Sequence, residues 1–153
     1  MLKLIISLIL FVYLPSHSSA QDHSARDTSK IAILNLNSPD IWLTDFKNAK
    51  PAQLTDKDFT DIEKLLRNCV KENNQGIELK RYKRQYVPYI NSKGQKEVYV
   101  NCFCFSDEIE FKYWRKQLVM VDDGGDCFFH VTINLTTNKC GNLYVNGLAM
   151  NSQ

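Results

Sequence analysis

Five cysteines are the residues of this chain with the most distinctive chemistry, and their spacing limits what they can do. They are Cys69, Cys102, Cys104, Cys127 and Cys140. Cys102 and Cys104 are two residues apart, so on an extended strand they point to the same face, where a bond between them would be strained. Either one could bond instead to a neighbouring strand or to Cys69. Because the number is odd, at least one cysteine stays free or pairs with another molecule.

Metal binding and redox catalysis are the functional alternatives for these cysteines. A closed zinc site takes four ligands, and the sequence has no second close pair besides Cys102 and Cys104. A redox thiol needs an exposed position and a lowered pKa, whereas these cysteines lie among apolar neighbours. We therefore expect structural disulfides or buried thiols, with at least one disulfide formed, no bound metal and no cofactor. Spacing alone leaves the pairing open.

His130 is a candidate general base in the predicted domain. On an extended strand it shares a face with Thr132 and Asn134, whereas Cys127 lies three residues away and so points to the opposite face. Because the two side chains point to opposite faces, a catalytic pair of Cys127 and His130 is not expected. With a nearby carboxylate, His130 would support a small pocket-bearing enzyme, which is the alternative to a non-catalytic role. No residue is assigned as catalytic.

An acidic run with two glycines occupies residues 122–126. Carboxylates are the ligands that calcium prefers, but the run lacks the spacing of a calcium loop. Asp-Gly-Gly-Asp between two strands is common in hairpin turns, because glycine adopts the backbone conformations that such turns require. We predict a turn without a metal.

A basic and aromatic stretch follows Gly76. Its residues are Lys80, Arg81, Tyr82, Lys83, Arg84 and Tyr86. Such alternation is found where proteins bind single-stranded nucleic acid. It is also typical of an exposed edge strand that charges and a proline, here Pro88, protect from aggregation. The whole chain has a formal net charge of only +2, which favours the edge strand and argues against nucleic acid as a partner.

The first twenty residues have the three-part pattern of a secretory signal peptide. Lys3 supplies the positive charge, residues 4–14 are an apolar run, and small residues precede a cleavage point after Ala20. The run is shorter than the ~20 residues that a membrane-spanning helix needs. The sequence predicts a signal peptide at 1–20, a flexible leader at 21–30 and a single domain at 31–153. We expect a secreted or periplasmic protein without a stable membrane span after cleavage.

One amphipathic helix is predicted at about 56–73. Thr55 is a good N-cap, and Asp58 three residues later can complete a shortened capping box. Apolar residues then recur at steps of three and four. They are Phe59, Ile62, Leu65, Leu66, Cys69 and Val70. This face would pack on the rest of the domain.

After Gly76 the hydrophobic period changes to that of strands. Short strands are predicted there at 79–90, 96–105, 117–121, 127–135 and 142–146, and the apolar run at 31–36, before the helix, could form another. The turns between the later strands are too short for the crossovers that parallel pairing requires. The expected fold class is therefore α+β, with one amphipathic helix packed on a twisted antiparallel sheet of four to five strands.

Three runs in the C-terminal half carry a resemblance to known proteins. They are residues 82–104, 123–135 and 142–149. Together they resemble a group of small exported bacterial proteins of unknown function. The order of a helix followed by hairpins is similar, in shape only, to cystatin-like, NTF2-like and PepSY-type domains. The resemblance implies an exported α+β domain and no particular chemistry.

These observations lead to one functional hypothesis. The chain is expected to be an exported, non-catalytic module that binds a protein or a small ligand, of unknown identity, through an exposed sheet face or its hairpin loops. Exposed aromatic side chains usually mark such a surface. The candidate binding residues are Tyr82, Tyr86, Tyr99 and Phe103, with Phe105 beside them.

Overall fold

A computed structural model describes residues 28–39, 41, 46–73, 76–104, 111–122 and 124–147. The predicted signal peptide, residues 21–27 of the predicted leader and Phe105 lie outside the described residues. The last part of the predicted leader is ordered, because Thr28–Lys30 form a 3₁₀ turn. Arg115 donates hydrogen bonds to the carbonyl oxygens of Ser29 (2.6 Å) and Ile31 (3.1 Å), which hold this turn against the domain.

One α-helix and seven strands form the described fold. In chain order they are β1 (Ile31–Ile33), β2 (Lys50–Pro51), α1 (Asp56–Glu72), β3 (Tyr82–Ile90), β4 (Lys96–Cys104), β5 (Phe128–Asn134), β6 (Lys139–Cys140) and β7 (Tyr144–Val145). No helix among the described residues is long and apolar enough to cross a bilayer. The α+β class is confirmed.

The sheet is mixed, which corrects the prediction of a purely antiparallel sheet with four to five strands. β3, β4 and β5 form an antiparallel centre, and β6 and β7 pair with the outer edge of β5. On the far edge of β3, β2 is antiparallel but β1 is parallel, with Ile31 opposite Arg84. Parallel pairing is possible here because α1 and β2 lie between β1 and β3 and supply a long connection.

Helix α1 begins as the sequence predicts. Thr55 is the N-cap: its backbone N–H donates to Asp58 Oδ2 at 2.7 Å, and its hydroxyl accepts from the Asp58 N–H at 3.3 Å. The same Asp58 oxygen accepts from Lys96 Nζ on β4 at 2.6 Å. The capping box therefore also fastens the start of the helix to the sheet.

The apolar face of α1 packs on one face of the sheet, called here the helix side. The predicted alternation of β4 and β5 is confirmed, since Val98, Val100 and Cys102 lie in this core with Phe129, Val131 and Ile133. The other face, called here the loop side, is partly covered by irregular segments. Leu34, Leu36 and Leu118 pack there with Tyr99, and Trp114 and Val119 pack with Phe103.

The predicted strand at 117–121 does not form. Its segment crosses the loop side of the sheet, and its backbone binds side chains instead of a neighbouring strand. The Val119 N–H donates to Gln85 Oε1 at 2.9 Å, and the Val119 carbonyl accepts from Asn101 Nδ2 at 2.7 Å. Because side chains satisfy these backbone hydrogen bonds, the segment can be buried without pairing with a neighbouring strand. The hairpin predicted at 122–126 would have followed this strand. Asp123 lies outside the described residues, and Gly125–Cys127 form a 3₁₀ turn that leads into β5.

Candidate functional site

The four aromatic residues predicted to form an exposed binding surface are buried. Tyr82, Tyr86, Tyr99 and Phe103 are each at most 7% exposed. The expectation of exposure is wrong because both faces of the sheet are covered at these residues. β3 is also not the predicted edge strand, since β4 pairs with one side of it and β1 and β2 with the other. Tyr82 and Tyr86 lie beneath α1, while Tyr99 and Phe103 lie on the loop side under irregular segments.

The cysteines form two disulfides, which confirms the expectation of at least one. Cys69 on α1 is bonded to Cys140 on β6, and Cys104 on β4 to Cys127 before β5. Cys69 thus pairs with neither Cys102 nor Cys104, the partners considered from the sequence. Cys102 is a buried free thiol. Burial raises the pKa of Cys102 above its usual value. Its side chain therefore stays protonated, and a protonated thiol is unreactive.

A polar cluster under the middle of α1 joins the helix to β3. Both carboxylate oxygens of Glu63 lie 2.6 Å from Nη1 of Arg84, and the Tyr86 hydroxyl donates to Glu63 Oε1 at 2.6 Å. Burial raises the pKa of Tyr86 well above its usual value, and the Glu63 carboxylate raises it further, so the phenol keeps its proton. Arg84 Nε is buried without a hydrogen-bond partner among the described residues, so Glu63 is the group that holds this arginine. The cluster joins the helix to the sheet and orients it.

The loop side contains a buried amide pair. Gln85 Oε1 accepts from Asn101 Nδ2 at 2.9 Å, and Gln85 Nε2 donates to the carbonyl oxygens of Trp114 and Gln117. Together with the bonds to Val119, these contacts attach residues 114–119 to the sheet. The amide pair therefore positions this segment on the loop side of the sheet.

Beyond residues 114–119, the loop side of β4, β5 and β7 is partly exposed. Its residues are Glu97, Tyr99, His130, Thr132, Asn134 and Tyr144, called here the polar-aromatic patch. Directly opposite residues of paired strands share a face, and the register places Glu97 opposite Asn134, Tyr99 opposite Thr132 and His130 opposite Tyr144. Tyr99 is its buried base, Tyr144 is 43% exposed, and the other four side chains are half-buried.

Three rings stand in a row across the patch. The rings of Tyr99 and His130 have centroids 5.4 Å apart, and those of His130 and Tyr144 are stacked at 5.3 Å with an interplanar angle of 21°. Phe46 packs edge-on against Tyr99 at 5.7 Å. The row is therefore supported at its buried end by the core and ends in the exposed Tyr144.

The polar side chains of the patch are held in place by one another. Asn134 Nδ2 donates to Glu97 Oε1 at 2.8 Å and to Gln95 Oε1 at 2.9 Å, while Asn134 Oδ1 accepts from the Thr137 N–H at 2.9 Å. The amide and the carboxylate consequently have defined orientations before any ligand arrives.

The patch gives no support to His130 as a general base acting with Glu97. Glu97 lies opposite Asn134, which is four residues from His130 along β5, a distance of about 14 Å at the usual rise of a strand. Among the described residues, no group of three histidine, cysteine or acidic side chains could hold a metal ion. The arrangement is suited to binding through stacking and hydrogen bonds.

A concave surface lies away from the patch, at the C-terminal end of α1. It is an open groove of about 480 Å³. Its lining residues are Arg67, Val70, Lys71, Gly76, Ile77 and Leu79. The groove has an apolar floor and two basic side chains at its rim, and it shares no residue with the polar-aromatic patch.

Sequence reasoning found only part of this site. The alternation of β5 placed His130, Thr132 and Asn134 on one face. Glu97 and Tyr144 were missed because only the strand register shows that they belong to the same patch.

No family model, curated protein or solved structure matches the chain.

Proposed function

We propose that this chain is an exported, non-catalytic module that binds its ligand on the polar-aromatic patch. The observation that carries the proposal is the row of Tyr99, His130 and Tyr144. It is anchored in the core and ends in Tyr144, a residue that is 43% exposed. An immobilised tyrosine offers a large contact area at a small cost in conformational entropy.

Two further features support the same function. The hydrogen bonds of Asn134 to Glu97 and Gln95 orient the polar groups in advance, which lowers the entropic cost of binding. The two disulfides support the export part of the proposal, because such bonds persist in oxidising compartments. The predicted signal peptide and the resemblance to small exported bacterial proteins agree with it.

Nuclear magnetic resonance tests the location of binding without a known ligand. The oxidised, ¹⁵N-labelled protein would be titrated with a library of small fragments that contains aromatic, saccharide, dipeptide and nucleoside members. We expect the shifted backbone amides to cluster at residues 97–99, 130–134 and 144, and we expect Tyr144→Ala to abolish these shifts.

Tyr113→Ala is the matched control, because Tyr113 is also an exposed tyrosine (55%) and lies outside the patch. This variant should retain every shift. The proposal is wrong if no fragment shifts the amides of the patch, if the shifts cluster instead at the groove lined by Val70 and Ile77, or if Tyr144→Ala leaves them unchanged.

A further inference from the structure

We infer that the ligand of the polar-aromatic patch is a neutral saccharide, an inference that rests on the function proposed above. A sugar ring has apolar C–H faces that pack against an aromatic ring, and a rim of hydroxyl groups that each donate and accept hydrogen bonds. The patch presents an aromatic ring at one end and oriented polar groups at the other. Both kinds of group lie on one sheet face.

The aromatic end is built to receive a flat apolar surface. His130 covers one face of the Tyr144 ring, with 5.3 Å between centroids and 21° between planes. Because the residue is nevertheless 43% exposed, the uncovered part of the ring is available to a ligand. Tyr99 supports His130 from the other side at 5.4 Å, so the ring that receives the sugar is supported from below.

The polar end is built to receive hydroxyl donors. Glu97 accepts a 2.8 Å hydrogen bond from Asn134, and the described contacts of Glu97 include no cation. Its carboxylate retains acceptor capacity, and hydrogen bonds from hydroxyls to a carboxylate are about twice as strong as neutral ones. Thr132 lies between the two ends and supplies a hydroxyl. About 14 Å separates His130 from Asn134 along β5, which is long enough for more than one sugar ring.

Charge and the position of the patch argue against the other classes of ligand. The row across the polar end contains one carboxylate, Glu97, and one exposed ammonium group, Lys139, on either side of Asn134. This end therefore has no net positive charge to attract phosphates or acidic chains, which disfavours nucleic acids and anionic glycans. An extended peptide that added a strand would need an open sheet edge. The polar-aromatic patch is a face of the sheet, defined by side chains, and a strand added at an edge would not lie on it. A neutral saccharide satisfies the stacking and the hydrogen-bonding groups without either conflict.

Affinity electrophoresis in native gels tests this inference on the full oxidised chain. The gels would contain dextran, galactomannan, laminarin, hydroxyethylcellulose or glycol chitin as neutral probes, with alginate and polyuridylate as anionic probes. We expect at least one neutral polysaccharide to retard the protein and neither anionic polymer to do so. Tyr144→Ala should raise the dissociation constant at least tenfold, and Tyr113→Ala should leave it unchanged.

Two further variants examine the polar end. Glu97→Gln should weaken retardation by the neutral polysaccharide and allow alginate to retard the protein, because the repelling charge is removed. Thr132→Val keeps the side-chain shape and removes the hydroxyl, and we expect about a threefold weaker affinity. Thr132→Val also serves as the test if Tyr144→Ala does not fold, which an NMR spectrum would reveal.

Retardation by none of the five neutral polysaccharides would overturn the inference. Retardation of the unmodified protein by alginate or polyuridylate, or undiminished binding by Tyr144→Ala, would overturn it as well. If the fragment titration locates binding at the patch while every neutral polysaccharide fails, the ligand class is wrong and the proposed function stands. If both experiments fail, both proposals are wrong.

Discussion

Both carboxylate oxygens of Glu63 on α1 lie 2.6 Å from Nη1 of Arg84 on β3. The side chain of Arg84 is 11% exposed and that of Glu63 24% exposed. This ion pair links the helix to β3 at a largely buried position, and removing one partner would leave a charge without compensation.

We expect Glu63→Ala to destabilise the protein by roughly 2–4 kcal/mol, because Arg84 and the Tyr86 hydroxyl would lose their partner in the core. Urea denaturation would measure the free energy of unfolding. Arg67→Ala is the control, since Arg67 contacts the same carboxylate at 3.7 Å from an exposed position and should cost about 0.5 kcal/mol or less. Equal losses in the two variants would contradict the assigned role of the Glu63–Arg84 pair.

The stability contributed by Asp58 should depend on pH. Partial burial raises the pKa of Asp58, but hydrogen bonds from Lys96 and Thr55 outweigh it, and the net pKa lies below the usual 3.8. A depressed folded-state pKa gives stability that is present above the unfolded pKa and is lost as the pH falls through the folded value.

Asp58→Asn should therefore cost about 1 kcal/mol at pH 7, of the order found for a lost cap. The difference from the unmodified protein should shrink as the pH falls below 3.8, as urea denaturation at pH 7 and at low pH would measure. Asp61→Asn provides a comparison, because Asp61 pairs with an exposed Lys57 and should lose less. An Asp58→Asn effect that is constant with pH would rule out this linkage.

The buried amide of Gln85 should control the segment that crosses the loop side. Gln85→Leu would leave the Val119 N–H and the carbonyl oxygens of Trp114 and Gln117 without this partner. We expect a loss of roughly 2–4 kcal/mol, since each unsatisfied buried group costs about 1–3 kcal/mol. Hydrogen exchange should accelerate first within residues 111–121. Gln117→Leu, at an exposed side chain, should leave both quantities nearly unchanged, and equal acceleration in the two variants would refute the prediction.

The two disulfides should stabilise the protein by different amounts. They close loops with sequence separations of 71 and 23 residues, for which the chain-entropy model gives about 4.4 and about 3.4 kcal/mol. Cys69→Ala/Cys140→Ala should therefore lower the free energy of unfolding more than Cys104→Ala/Cys127→Ala does. Urea denaturation of both double variants would measure the difference, and the reverse order would contradict the entropic explanation.

Cys102 should be unreactive in the native protein. Because it is fully buried and its pKa is raised, the non-reduced native chain should not react with a thiol reagent at pH 8. In denaturant the same chain should show a single reactive thiol, since the other four cysteines are paired. Cys102→Ala should show none. Reaction in the native state, or more than one thiol in denaturant, would contradict the assignment.

Local features of the fold could be predicted because they depend on residues close together in the chain. The capping box of Thr55 and Asp58, the helical period of α1 and the alternation within β4 and β5 all have this origin. For the same reason, the position of His130 on the polar face of β5 was predictable. The interpretation of Tyr82 and Tyr86 as exposed residues was wrong, because alternation within β3 does not reveal that α1 covers the face on which they lie.

The sequence by itself determined the α+β class, the bounds of the helix to within a residue or two, and the alternation of the two faces within β4 and β5. The tertiary structure alone decided that β1 joins the sheet in parallel, that Cys69 bonds to Cys140, and that Tyr144 stacks on His130. These three outcomes depend on contacts between residues far apart in the chain. Periodicity specifies which side of an element is apolar, but the choice of partner and register depends on how all the elements pack together.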